Sequence, residues 1–153
     1  MILSSKILGS SAKELLILHG FLGSGDNWIS IARKIVEFGF KVHLIDQRNH
    51  GRSFHADEFN YDVMSNDLFD YLKFHNIYHP IILGHSMGGK TAMNFALKHP
   101  KLLSKLFIID ISTRFYPRHH DYIMDALLKL DLKKMNKRVG VENELSKSIK
   151  DVS

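Results

Sequence analysis

The sequence contains no cysteine among its 153 residues, which excludes disulfide bonds, a thiol nucleophile and cysteine metal sites. A chain without disulfides is typical of a reducing compartment, and we expect a cytoplasmic location. The first residues lack a basic segment followed by a long apolar one, so we expect no secretory signal. No apolar run approaches the roughly 20 residues of a membrane helix, so we expect no membrane span.

Metal-ligand spacing is also missing, although the chain has 10 histidines. His119 and His120 are adjacent and cannot share one face of a helix. We therefore expect no metal site, and we predict no cofactor. The net charge of +5 is spread along the chain and is densest at 133–134 and 137–138. This distribution favours a solvated helix face over a nucleic-acid surface, so we expect no nucleic-acid partner.

Short apolar runs alternate with longer amphipathic segments through the first two thirds of the chain. The short runs are typical of buried strands and the longer segments of helices. This alternation predicts an α/β fold, a three-layer αβα sandwich with a mostly parallel sheet. The predicted spatial order of the strands is 41–46, 15–18, 80–83, 106–110, with a further edge strand within 2–8.

The pattern changes after Asp110, where a loop at 111–117 is followed only by helical patterns, at 122–130 and 141–149. We assign 1–114 to an α/β core that lacks its last strands, and 115–153 to the beginning of a helical cap or lid. The apolar strand at 106–110 would then lie at an open edge of the sheet. An exposed apolar edge pairs readily with other chains, so the sequence predicts self-association.

A serine stands between two glycines in the sequence Gly84-His85-Ser86-Met87-Gly88, after a predicted strand and before a predicted helix. This is the G-x-S-x-G pattern of a nucleophile elbow. Side chains at positions 84 and 88 would collide across so sharp a turn. The amide of Met87 would point to where an oxyanion forms. A glycine-rich turn without chemistry is the alternative that the pattern alone leaves open.

The loop His19-Gly20-Phe21 follows the strand at 15–18, at the same end of the sheet as Ser86. Gly20 would let the backbone turn, so that the Phe21 amide becomes a second oxyanion donor beside Met87. A plain glycine loop is the alternative. We expect His19 to brace this loop rather than to act as a base.

The segment 46–53 (DQRNHGRS) lies at the same end of the next strand and is dense in hydrogen-bonding groups. We favour a structural role, in which Asp46 and Arg48 pin the loop and Gly51 and Ser53 shape a turn. His50 as the catalytic base would precede Ser86, the reverse of the order in this motif.

The segments 19–23 (HGFLG), 46–53 (DQRNHGRS) and 84–90 (GHSMGGK) resemble those of the α/β-hydrolases, and among them the small bacterial YbfF-like serine esterases. The resemblance extends from residue 15 to the end of the chain. It implies hydrolysis of a small-molecule carboxylic ester or thioester through an acyl-enzyme.

The resemblance also implies roles for individual residues. Ser86 would be the nucleophile, the Phe21 and Met87 amides the oxyanion donors, and Asp110 the acid. The alternative for Asp110 is an aspartate at the end of a strand that satisfies a loop. Structural support would come from His19, Gly20, Asp46, Arg48, His50, Gly84, His85 and Gly88.

One part of the family's pattern is missing, the catalytic histidine, which follows the acid after two further strands. Only His119 and His120 follow Asp110, and both are too near it to reach across the sheet. We therefore expect the base to be absent and the chain to be the amino-terminal part of a hydrolase. Two functions stay open: a serine ester hydrolase or an inactive fragment of one, and a non-catalytic α/β-hydrolase-like ligand-binding protein or inactive remnant.

Overall fold

The computed structural model of the chain describes residues 1–116, 121–131 and 137–148. The chain divides into two compact units, Met1–Thr113 and Arg114–Ser153. The strands of the first unit are β1 (Ser5–Leu8), β2 (Glu14–Leu18), β3 (Lys41–Ile45), β4 (Ile81–His85) and β5 (Lys105–Ile109). Its helices are a 3-10 turn (Gly25–Trp28), α1 (Ile29–Glu37), α2 (Tyr61–Phe74) and α3 (Met87–Lys98).

The strands form one sheet in the order β1-β3-β2-β4-β5. β1 is antiparallel to β3, and the other neighbouring pairs are parallel. The predicted order of the four parallel strands is therefore confirmed. β2 lies between β3 and β4, and its residues from Leu15 to Leu18 are all buried. A strand covered on both faces reads as a continuous apolar run, which is why this segment shows no alternation.

Helices cover both faces of the sheet, as the sandwich prediction requires. Ile17 and Leu44 point to one face, where they form a core with Ala32 of α1. Leu16 points to the opposite face and joins a core that contains Leu68 of α2 and Phe95 of α3 together with other buried residues. The pleat of the strands sends successive side chains to opposite faces, so one apolar strand supplies both cores.

Two helices lie in the second unit, α4 (Asp121–Leu128) and α5 (Arg138–Ser148). They correspond to the helices predicted at 122–130 and 141–149, although residue 149 lies outside the described residues, as do His119, His120 and 133–134. No strand occurs in the described residues of this unit. The predicted division at 114/115 lies one residue from the boundary between the units. That the second unit begins a cap stays a prediction.

β5 lies at an edge of the sheet and pairs only with β4 in the described part of the chain. Phe107 and Ile109 share one face of this strand, where Phe107 is 50% exposed and Ile109 is 38% exposed. The open apolar edge expected from the sequence is therefore present. Among the described residues, no helix has the length and apolar character needed to cross a membrane.

Candidate active site

Ser86 occupies the turn between β4 and α3 in an unusual backbone conformation, with φ 49° and ψ −113°. Residues other than glycine rarely adopt this region, and each instance costs on the order of 1–3 kcal/mol. The turn is tied down on both sides: the Ser86 amide donates to the Ile109 carbonyl at 3.0 Å, and its carbonyl accepts from the Lys90 amide at 3.1 Å. α3 begins at Met87, directly after the serine.

The glycines at positions 84 and 88 allow backbone segments to touch at this turn. A Cβ atom on Gly84 would overlap the carbonyl oxygen of Gly88. A Cβ atom on Gly88 would overlap the Leu18 carbonyl oxygen and come within 2.7 Å of the His19 carbonyl oxygen. The first turn of α3 thus rests directly on the end of β2, and the collision expected across the turn is what glycine avoids.

The loop after β2 lies against this elbow at Gly20. A Cβ atom on Gly20 would come within 2.8 Å of the His85 Nδ1 atom and 3.4 Å of the Ser86 Cβ atom. Phe21 follows Gly20 in this loop, and Met87 follows Ser86 in the elbow. The contact therefore brings the chain segments that carry the Phe21 and Met87 amides next to the serine.

His19 holds this loop through both of its ring nitrogens. Nδ1 donates to the Gly20 carbonyl at 2.8 Å, and Nε2 accepts from the Gln47 amide at 3.0 Å. A carbonyl can only accept and an amide N–H can only donate, so these partners fix the tautomer of the ring. The ring is 1% exposed, and its burial lowers the pKa of His19 below the usual histidine value. The neutral ring of His19 therefore joins two loops, and neither of its nitrogens is available to accept the proton of Ser86.

His50 is fixed in the same manner. Its Nδ1 atom donates to the Arg48 carbonyl at 2.9 Å, and its Nε2 atom accepts from the Leu22 amide at 3.2 Å. Both ring nitrogens are therefore used in holding the segment 46–53 against the loop after β2. This arrangement gives a physical reason, besides chain order, for leaving His50 out of proton transfer.

Two carboxylates hold the segment 46–53 in shape. The Asp46 carboxylate accepts from the Gly25 amide at 2.7 Å and from the Arg52 amide at 2.9 Å. The guanidinium of Arg48 forms a two-pronged ion pair with the buried carboxylate of Asp67, with one N–O distance of 2.8 Å. Two-pronged pairs fix orientation as well as position, so the segment presents a rigid support beside the site.

Asp110 lies at the end of β5 in a left-handed conformation, with φ 54°. Its side chain is 83% exposed, and its Oδ2 atom lies 3.6 Å from the Nε2 atom of His85. The structure thus brings the proposed acid next to the residue that precedes the nucleophile. Since the side chain of His85 is 34% exposed, the pair stands at the surface of the first unit.

A cavity of about 380 Å³ lies between the loop after β2, the start of α1 and His85. The indole of Trp28 forms part of its wall, with the ring centroid 5.9 Å from that of His85. Trp28 ends the 3-10 turn before α1, and no pattern in the sequence signals its contact with the elbow. The remaining wall consists of His19, Gly20, Phe21, Leu22, Gly23, Asn27 and Ile31.

The described ranges contain no group of three or more histidine, cysteine, aspartate or glutamate side chains that could hold a metal ion. The polar groups around Ser86 are instead backbone amides, imidazoles and one exposed carboxylate. This inventory suits acyl transfer by a hydroxyl nucleophile, which needs amide donors, a base and an orienting acid.

Comparisons with known proteins agree with this fold. Residues 14–149 match a family model described as the alpha/beta hydrolase fold. The chain is 39% identical over 146 residues to the sn-1-specific diacylglycerol lipase ABHD11 of Danio rerio, covering 91% of this chain and 46% of that protein. It is 36% identical over 138 residues to a putative esterase/lipase of Haemophilus influenzae, covering 90% and 48%.

Among solved structures, a marine microorganism esterase superposes with a TM-score of 0.93 at 44% identity, covering 99% of this chain and 60% of that one. The chain spans about half the length of the curated relatives that it matches. The family match over most of the chain and the superposition on the esterase lead to one conclusion: this chain belongs to the α/β-hydrolase fold family.

Proposed function

We propose that this chain carries the nucleophile half of a serine hydrolase that cleaves carboxylic esters or thioesters of small-molecule acyl compounds. The observation that carries the proposal is the position of Ser86 at a backbone-strained elbow with the Gly20 loop packed against it. Strained conformations persist where the surrounding structure enforces them, and they concentrate at functional sites.

In the proposed reaction, the Ser86 Oγ atom attacks the carbonyl carbon and the carbonyl π bond opens to an oxyanion. The Phe21 and Met87 amides donate hydrogen bonds to this oxyanion, and the amino-terminal end of α3 adds a favourable dipole. Collapse of the intermediate expels the alcohol or thiol and leaves an acyl-Ser86. Water then attacks the acyl carbon and releases the acid.

Asp110 is the proposed acid of the site. In the family's arrangement it orients a histidine that takes the serine proton, and that histidine follows further strands. The relatives are about twice as long as this chain. We therefore propose full hydrolytic activity only for a longer protein that also contains this histidine. We further propose a cytoplasmic location and self-association through the open edge of β5.

A non-catalytic protein that binds a small ligand is the second candidate. The observation that favours it is that no histidine in the described ranges forms a hydrogen bond with Ser86. Under this alternative, the cavity beside Trp28 would bind an acyl compound without cleaving it.

The test compares hydrolysis of p-nitrophenyl butyrate by the 153-residue chain and by a version extended with further strands and a histidine loop. The proposal expects little or no turnover by the 153-residue chain and a clear gain on extension, which Ser86→Ala abolishes. An extended, folded chain that stays inactive would favour the binding alternative. Robust turnover by the 153-residue chain that Ser86→Ala leaves unchanged would exclude Ser86 as the nucleophile.

A further inference from the structure

His85 differs from the two buried histidines of the site in the use of its ring nitrogens. His19 and His50 each spend both nitrogens on backbone groups. His85 makes one polar contact among the described residues, the 3.6 Å approach of its Nε2 atom to Asp110. Its ring also lines the cavity, where it packs against Trp28. His85 is therefore an imidazole at the cavity with an acidic neighbour and with bonding capacity to spare.

The orientation of this ring places its two nitrogens on different sides. Nε2 points toward the Asp110 carboxylate, which favours the tautomer with a proton on Nε2. Nδ1 then carries the lone pair, and it lies beside Gly20, close to the point that also adjoins the Ser86 Cβ atom. The Nδ1 atom and the Ser86 Cβ atom both approach the Gly20 backbone, at 2.8 Å and 3.4 Å from where a Cβ atom of residue 20 would lie, so the imidazole and the serine are near enough for one water molecule to bridge them.

We propose that His85, polarised by Asp110, accepts the proton of Ser86 in this chain through one bridging water. This inference rests on the proposed function, since it assigns a base to the same nucleophile. The Ser86 proton passes to the water, a water proton passes to Nδ1, and Oγ forms its bond to the electrophile. When the leaving group departs with the electron pair of its broken bond, it takes a proton back from the imidazolium by the same path.

The pair is a weak substitute for a complete triad. A separation of 3.6 Å exceeds a hydrogen bond, and the carboxylate is 83% exposed, so water screens its effect on the ring. The pair therefore supports slow reaction of Ser86 with a strong electrophile rather than rapid turnover of esters. The slow reaction of Ser86 in the 153-residue chain should therefore depend on His85 and on pH.

The test measures the rate at which a fluorophosphonate labels Ser86 in the 153-residue chain between pH 5.5 and 8.5. We expect a rate that rises with pH, because only a deprotonated imidazole can accept a proton. His85→Gln should lower the plateau rate by roughly tenfold or more and flatten the profile, since general bases contribute about 10²–10⁴-fold. Asp110→Asn should lower the rate less than His85→Gln does.

The matched control is His79→Asn, at an exposed histidine just before the amino end of β4 and so at the opposite end of the sheet. The backbone φ of 50° at this position suits asparagine. The variant should keep the labelling rate and the pH dependence of the unchanged chain. As a second measurement, added imidazole should restore labelling in His85→Gly but not in Ser86→Ala.

The outcomes separate the inference from the proposed function. Equal rates and equal pH profiles for the unchanged chain and His85→Gln, with Ser86 labelled in both, would overturn the role of His85 and leave Ser86 as the nucleophile. Labelling that persists in Ser86→Ala would overturn the proposed function itself. A flattened profile in His85→Gln with imidazole rescue in His85→Gly would support the inference.

Discussion

Gly88 packs against the main chain of Leu18 so closely that a Cβ atom on Gly88 would overlap the Leu18 carbonyl oxygen. This contact sets the depth at which the first turn of α3 rests on the end of β2. The elbow and the loop after β2 are therefore held at one fixed separation by backbone atoms, which shift less easily than side chains.

Gly88→Ala tests this contact. The added methyl group must push α3 away from the sheet, and overpacking of this kind lowers the free energy of unfolding by about 1–3 kcal/mol. Urea denaturation should show the loss. Gly140→Ala in α5 is the control, because a Cβ atom there meets nothing within 4 Å and alanine favours a helix. A Gly88→Ala chain as stable as the original would contradict the close contact.

Ser86→Gly should stabilise the fold even though it removes the nucleophile. Glycine adopts the conformation of Ser86 without steric penalty, and relief of the strain outweighs its greater entropy in the unfolded chain by roughly 1 kcal/mol. Ser86→Ala keeps a Cβ atom and should gain nothing. Thermal unfolding of the two variants checks this difference. Equal melting temperatures would mean that the elbow stores no strain in Ser86.

Stability should fall in mild acid because two buried histidines resist protonation. Burial lowers the pKa of His19, and burial likewise lowers the pKa of His43 despite the opposing effect of the hydrogen bond that His43 donates to Glu14. Below the ordinary histidine pKa of about 6.5, the unfolded chain binds protons that the folded chain does not. The free energy of unfolding should therefore be constant above that pH and fall below it, by up to about 1.4 kcal/mol per pH unit for each histidine.

Urea denaturation at pH 7.5, 6.5 and 5.5 measures this fall. His43→Gln removes one of the two histidines and should make the fall shallower than in the unchanged chain. The exposed His55, replaced by glutamine, serves as the control and should leave the slope as it was. An identical slope in His43→Gln and the unchanged chain would show that His43 is protonated equally well when folded.

The open edge of β5 should cause the 153-residue chain to self-associate. Phe107→Lys places a charge on the exposed apolar face of this strand, and charged edges resist pairing with other chains. Sedimentation velocity should show less self-association for this variant. Leu97→Lys is the control, because Leu97 is 84% exposed on α3 and is not part of the edge strand. A monodisperse monomer without any substitution would contradict the proposal.

Local sequence patterns were sufficient for the fold and the elbow. The apolar run from Leu15 to Leu18 marks a strand buried on both faces, and its position between β3 and β4 bears that out. The glycines at positions 84 and 88 predict close approach of the backbone because only a residue without a Cβ atom permits it. Such features are encoded by neighbouring residues and can be recognised from spacing alone.

Side-chain partnerships between distant segments could not be predicted in this way. The approach of Asp110 to His85 depends on the twist of the sheet and on the left-handed conformation of Asp110. The contact of Trp28 with His85 depends on how the 3-10 turn seats α1 against the elbow. A single sequence carries no signal for either contact, because each depends on the packed positions of elements far apart in the chain.

The most direct measurement of the central claim is the site of a fluorophosphonate adduct, located by peptide mass spectrometry. The account predicts one adduct, on Ser86, which forms slowly in the 153-residue chain and quickly in a version extended with the histidine loop, and is absent from Ser86→Ala. An adduct on another residue, or none on Ser86 in a folded extended chain, would contradict the assignment of Ser86 as the nucleophile.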